Sequence, residues 1–134
     1  IDLMAARHAD AGIDACVGID ARGVISAAAA AKQLGTGFVP VRKKGKLPWK
    51  THEESYSLEY GEATVAIHQD ALQPGARVLL LDDLLATGGT AAAAVKLLEK
   101  IGAEIVEIGF LIELGFLNGR EKMNGAPINS LITY

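Results

Sequence analysis

The segment from Val78 to Thr90, VLLLDDLLATGGT, constrains this chain more than any other. An uninterrupted apolar run, Val78 to Leu81, reads as a strand buried on both faces, the pattern of a parallel sheet covered by helices. Two adjacent carboxylates follow, Asp82 and Asp83, then a tight loop, Ala86 to Thr90, then a helix. In open α/β sheets ligands lie outside the carboxyl ends of the strands, and the Asp pair falls at that end. Neighbouring carboxylates there can accept hydrogen bonds from the vicinal hydroxyls of a ribose. The loop behind them suits a phosphate. Gly88 and Gly89 reach backbone conformations closed to other residues, successive N–H groups can converge on an anion, and the helix start adds the positive end of its dipole. Thr87 and Thr90 add hydroxyl donors. A ribose site and a phosphate site one turn apart describe a phosphorylated sugar. The plain alternative is a strand ending in solvated acids before a glycine turn; its parts are common, but the full string is not.

The remainder of the chain reads as the same kind of fold. Residues 1–11 read as helix, Ala15 to Asp20 as the first core strand, and Ser26 to Leu34 as a helix stopped by Gly35. Phe38 to Arg42 form a second strand, and Lys43 to Glu54 a long polar loop. Tyr56 to Tyr60 and Ala63 to His68 alternate as strands around Gly61. After the Pro74-Gly75 turn come the motif strand, a helix from about Thr90 to Ile101, a strand Ile105 to Leu111 and a last strand Ile128 to Thr133. This alternation predicts an α/β domain with a mainly parallel sheet flanked by helices. At 134 residues, with 50% hydrophobic but only 5% aromatic side chains, Ala, Val, Ile and Leu carry the packing of one domain, 1–134. The chain opens on IDLMAARHADAG without an initiating Met, and we expect an N-terminal segment upstream of it.

Several partner classes are disfavoured. A net charge of −3 gives no coat for nucleic acid or an anionic membrane, and no apolar run approaches the roughly 18 residues of a membrane helix. Cys16 is the only cysteine; it lies in the run Ala15 to Ile19, reads as an inert core thiol and fits a reducing cytoplasm. His8, His52 and His68 lack metal-ligand spacing. Gly35-Thr36-Gly37 lacks the third glycine of a dinucleotide fingerprint, and no Walker lysine follows Gly88-Gly89.

Two further constellations bear on an anionic ligand. Asp20-Ala21-Arg22-Gly23 again joins a strand end to a helix through a glycine turn. An Arg there can grip phosphate oxygens with its fork; alone it is equally a surface side chain, but beside the phosphate loop a second anion site is the better reading. The run Arg42 to Lys50 holds five of the thirteen basic residues. Such a run is usually a solvated face; next to a polyanionic ligand it would attract it and offset charge on a leaving group. With Gly45 and Pro48 it reads as a mobile lid loop. Glu59, in SYSLEYG, would lose solvation under a closed lid and its pKa would rise towards that of a proton-exchanging group; spacing alone does not show this, and a strand glutamate is by default exposed.

These stretches together carry a resemblance. DDLLATGGT resembles the loop by which the type I phosphoribosyltransferases bind 5-phosphoribosyl 1-pyrophosphate (PRPP). Val41-Arg42-Lys43-Lys44-Gly45-Lys46-Leu47-Pro48, SYSLEYG, and Glu113-Leu114 with Leu117-Asn118-Gly119-Arg120-Glu121-Lys122 are similar to the adenine phosphoribosyltransferases, in order and over nearly the whole chain. SYSLEYG is the part that separates the adenine enzymes from their relatives. The resemblance implies the type I phosphoribosyltransferase fold and formation of AMP and pyrophosphate from adenine and PRPP, a purine-salvage step. It implies that Asp82 and Asp83 hold the ribose hydroxyls, and that Ala86, Thr87, Gly88, Gly89 and Thr90 hold the 5-phosphate. Arg22 would contact the pyrophosphate and Arg42 that of a neighbouring subunit, hence a homodimer; Lys43 and Lys46 belong with the lid. Glu59 would be the acid/base partner of adenine, with Tyr60 in the same mobile loop. Leu114 would pack on the purine face, or be a plain core leucine. Mg²⁺ is expected, held by substrate oxygens and water rather than by a protein cage.

Two departures stand out: the family's upstream segment that helps enclose adenine is not in this chain, and Val24 stands where an aromatic often follows Arg-Gly. Two alternatives share the PRPP loop. One is a sister enzyme using hypoxanthine, guanine, xanthine or orotate. The other is a non-catalytic PRPP or nucleotide sensor, which would need neither the basic loop nor Glu59.

Overall fold

Both faces of the central strands are buried, and this organises the molecule. In the computed structural model, which describes residues 5, 8–58, 60–123 and 125–134, strand β1 (Ala15–Ile19) is buried at every position. Its side chains alternate between two cores. Ala15, Val17 and Ile19 face one, with Val78, Leu80, Leu97, Leu98 and Phe110; Cys16 faces the other, with Ala27, Ala30, Ala31, Leu79 and Leu81. A period-2 backbone buried on both sides must read as an unbroken apolar run.

The chain continues as helix α1 (Arg22–Leu34), β2 (Gly37–Lys43), β3 (Thr51–Leu58), β4 (Gly61–His68), β5 (Arg77–Leu85), helix α2 (Gly89–Ile101), β6 (Glu104–Glu113), two short 3-10 turns (Gly115–Leu117 and Gly119–Met123) and β7 (Ile128–Thr133). The sheet has seven strands in the order β3-β4-β2-β1-β5-β6-β7. Strands β2, β1, β5, β6 and β7 run parallel; β4 pairs antiparallel with β2 and with β3. Helix α1 packs on β1, β2 and β5, and α2 on β3, β4 and β6. Both helices end on a left-handed glycine, Gly35 and Gly102, whose N–H caps the last turn. None of the described helices is long and apolar enough to cross a membrane.

Four expectations need correction. Helix α1 starts at Arg22 rather than Ser26, so Arg22 and Gly23 form its first turn. Close packing permits this: a Cβ on Gly23 would lie 2.7 Å from the Leu81 carbonyl oxygen, and one on Gly18 2.6 Å from the Gly23 carbonyl oxygen. The polar segment 43–54 is not all loop, because Thr51 to Glu54 open β3 and pair with β4 from Thr51↔His68 onward. Its polar residues suit an edge strand, where local polarity hides the pairing. The same hairpin places β3 from Thr51 to Leu58 rather than from Tyr56 to Tyr60, and makes the sheet mixed at one edge. The motif strand runs on to Leu85, and pairing with β6 carries Asp82 and Asp83 inside it. Of the expected helix over 1–11, Ala5 is helical and buried, residues 8–11 form a 3-10 turn and bend instead, and the rest lies outside the described residues. The buried thiol of Cys16 is as expected, its pKa pushed up by burial.

Candidate active site

The site lies where β1 and β5 end and α1 and α2 begin. Asp82 and Asp83 leave the sheet to opposite sides, as neighbours on a strand must, but their polar atoms are joined. Asp82 Oδ1 accepts the backbone N–H of Asp83 at 2.8 Å. Burial is the main cause that pushes Asp82 well above the ordinary carboxylate range, up to about 7. The bond from Asp83 N–H opposes this, the neighbouring Asp83 carboxylate adds to it, and Arg22 pulls it back. Asp83 Oδ2 meets Arg22 Nε at 3.1 Å. The residue expected at the pyrophosphate and one expected at the ribose thus neutralise each other. The Arg22 side chain is 80% exposed, so solvent screens this contact and little free energy holds it.

The turn before α1 is bound to the basic segment. The Asp20–Ala21 peptide is cis. Asp20 Oδ2 accepts from Arg42 Nε at 3.2 Å, while Arg42 Nη1 donates to the Lys46 carbonyl at 3.4 Å. Arg42 at the end of β2 therefore stands beside the Arg22 turn of its own chain. Lys43 and Lys46 are exposed, and Lys44 pairs with Glu53 at 3.6 Å. Tyr60 is 89% exposed; Glu59 lies outside the described residues.

The loop from Ala86 to Thr90, expected to hold a phosphate, is short and closely backed. Gly88 caps α2 with φ +89°, a left-handed conformation that favours glycine. A Cβ there would also lie 2.6 Å from the Gly119 carbonyl oxygen, and one on Gly119 2.5 Å from that of Ala86. Gly89 and Thr90 form the first turn of α2, with Thr87 exposed ahead of them. No side chain caps this helix, so its leading N–H groups are available to an anion.

Two arrangements were not legible in the sequence. Thr90 Oγ1 donates to the Tyr56 hydroxyl at 2.9 Å, which brings β3 against the loop. Glu113, 4% exposed at the end of β6, accepts from Arg120 Nε at 2.7 Å and Nη2 at 2.7 Å and from Ser130 Oγ at 2.7 Å. The Arg120 hydrogen bonds hold the Glu113 carboxyl below the usual range against the opposing effect of burial. This knot fixes the 3-10 turn that carries Gly119 against the Ala86–Gly88 loop. Leu114 sits at the same corner, half-buried, its N–H bonded to the Leu85 carbonyl at 2.9 Å. Beside the Arg22–Asp83 pair opens a largely apolar cleft of about 440 Å³, walled by Ile25, Leu84, Leu111 and Ile112. A cavity of about 540 Å³ lies instead at the opposite strand ends, by Asp14, Gly37 and Pro74, away from every site residue.

Comparison with known proteins agrees with this geometry. The model of the phosphoribosyl transferase domain matches residues 1–124. The chain belongs to the phosphoribosyl transferase family. Within it, the chain is 54% identical to the adenine phosphoribosyltransferase of Roseobacter denitrificans, over 100% of this chain and 77% of that protein. The crystal structure of the Rhodothermus marinus adenine phosphoribosyltransferase superposes with a TM-score of 0.94 at 46% identity, covering 99% of this chain and 76% of that one. The Saccharomyces cerevisiae enzyme, solved with adenine and an imino-altritol bisphosphate, gives 0.90 at 41% identity, covering 96% and 73%. The chain therefore takes the type I phosphoribosyltransferase fold and groups with the adenine enzymes, which transfer a pentosyl unit. These relatives agree with the adenine reading rather than with the sister-base or sensor alternatives.

Proposed function

We propose that residues 1–134 form a single phosphoribosyltransferase domain that makes AMP and pyrophosphate from adenine and PRPP, in purine salvage. The observation that carries this reading is the joining of an acid pair and a helix-backed glycine loop at one strand end, in a chain 54% identical to an adenine phosphoribosyltransferase. The N–H groups of Ala86 to Thr90 and the hydroxyls of Thr87 and Thr90 hold the 5-phosphate. Asp82 and Asp83 accept the ribose hydroxyls. Arg22 exchanges Asp83 for the pyrophosphate; Lys43 and Lys46 on the basic lid add positive charge. Arg42, held here against Asp20, serves the pyrophosphate of a neighbouring subunit in a homodimer.

The reaction is a displacement at the anomeric carbon. A ring nitrogen of adenine forms the new bond, the bond to pyrophosphate breaks, and its electrons leave with the pyrophosphate oxygen. Positive charge on the ribose rises in an oxocarbenium-like transition state. The carboxylates below it and the cations around the leaving group are stronger there than in the ground state, which is what lowers the barrier. Glu59 exchanges a proton with adenine, with Tyr60 beside it, Leu114 packs on the purine face, and lid closure keeps water from the ribose. The donor set of Asp82 and Asp83, already engaged by an N–H and by Arg22, fits a Mg²⁺ carried by substrate oxygens and water rather than caged by protein. When bound, that ion offsets the charge of the pyrophosphate. The buried free Cys16 fits a reducing, cytoplasmic setting.

Replacing both acceptors tests the core of this reading. Asp82→Asn with Asp83→Asn is expected to lower kcat/KM for PRPP by about 100-fold or more, from the loss of two charge-assisted bonds, while circular dichroism shows an intact fold. Unchanged kinetics in the double variant would remove the ribose assignment.

A further inference from the structure

We propose that Tyr56 is a positioning residue whose hydroxyl aims Thr90 at the 5-phosphate and fastens the β3–β4 hairpin to the phosphate loop; the proposal rests on the reading of Ala86 to Thr90 as that loop. Tyr56 is held on three sides. Its backbone is locked in the β3–β4 ladder opposite Ala63. Its ring packs on the core around α2. It also lies so close to Gly89 that a Cβ there would sit 3.0 Å from the ring. The hydroxyl is thus delivered to one place, 2.9 Å from Thr90 Oγ1.

The chemistry of two facing hydroxyls makes this more than packing. Each can donate and accept. Without ligand, Thr90 donates to Tyr56. A phosphate is an acceptor only, so when it enters the loop the Thr90 hydrogen turns to a phosphate oxygen. The Tyr56 hydrogen then turns to the freed lone pair of Thr90. Both changes are rotations about C–O bonds and move no backbone. The resulting chain, Tyr56 to Thr90 to phosphate, is polarised in one direction, and each bond strengthens the next. Tyr56 lies on β3, three residues before Glu59 in the chain. Filling the phosphate loop therefore stiffens the base of the segment that carries the acid/base residue.

The test uses Tyr56→Phe, which keeps the ring against Gly89, together with Thr90→Val, the double variant, and Thr87→Val as a control for the loop. Ribose 5-phosphate affinity is read by titration calorimetry, and KM for PRPP and kcat by AMP formation. Tyr56→Phe is expected to weaken ribose 5-phosphate binding and raise KM by about 3- to 10-fold, the range of one hydrogen bond, with kcat within about twofold. In the Thr90→Val background the same change is expected to have no further effect. Full affinity in Tyr56→Phe while Thr87→Val and Thr90→Val weaken binding would overturn the role of Tyr56 and leave the loop reading standing. Effects of Tyr56→Phe and Thr90→Val that multiply in the double variant would overturn it equally. Full affinity in both threonine variants would refute the loop reading, and this inference with it.

Discussion

Asp82→Asn is the perturbation whose sign is least intuitive. The side chain of Asn keeps the shape of Asp and the oxygen that accepts the Asp83 N–H, but it cannot ionise. In the wild type, burial pushes the Asp82 carboxyl up to about 7, whereas in the unfolded chain it ionises near the ordinary aspartate value of about 3.9. Between these values the folded state holds a proton that the unfolded state has released. Stability then falls as pH rises through that window, and the loss is complete above about pH 7. At about 1.4 kcal/mol per pH unit the ceiling is ~4 kcal/mol; because Asp82 is only partly buried, solvent screening reduces the expected effect to about 1–2 kcal/mol. Urea denaturation at about pH 4 and about pH 8 separates the two states. The variant should match the wild type at the lower pH and exceed it by about 1–2 kcal/mol at the higher one. The same variant should lose activity, so the site trades stability for function. A stability difference independent of pH would refute the burial of an ionisable Asp82.

Two further outcomes follow from the supports of the Ala86–Thr90 loop. Gly88→Ala places a side chain at φ +89° and 2.6 Å from the Gly119 carbonyl oxygen; it is expected to cost about 2 kcal/mol or more and to lower Tm by about 6 °C or more, and a melt within about 1 °C of wild type would contradict the close approach. Glu113→Gln removes the charge that Arg120 and Ser130 surround. Its cost should be about 2–3 kcal/mol at neutral pH. Because the Glu113 pKa is depressed, this stability is present above the ordinary glutamate value and lost as pH falls below it; a cost that persists under strongly acidic conditions would contradict the ion pair.

What was legible in the sequence divides by the range of the forces involved. The central strands announce themselves because two covered faces demand continuous apolar runs, as in Val78 to Leu81. The acid pair and glycine loop announce themselves because adjacent residues make the site. Strand β3 is half hidden: Thr51, His52, Glu53 and Glu54 are polar, and only pairing with β4 makes them a strand. The early start of α1 at Arg22 depends on contacts of Gly23 with Leu81 and Asp82, far off in sequence. The Arg22–Asp83, Tyr56–Thr90 and Glu113–Ser130 contacts likewise join distant segments, and no local periodicity encodes them. The one signal for Tyr56 was its place in SYSLEYG, the single aromatic on a mainly polar strand.

The proposed reaction joins adenine to the phosphoribosyl group of PRPP. The most direct measurement incubates it with Mg²⁺, PRPP and, separately, adenine, hypoxanthine, guanine and orotate, and quantifies nucleotide and pyrophosphate. AMP and pyrophosphate are expected in equal amounts from adenine, with no nucleotide from the other bases. A nucleotide formed from another base in preference to AMP would contradict it.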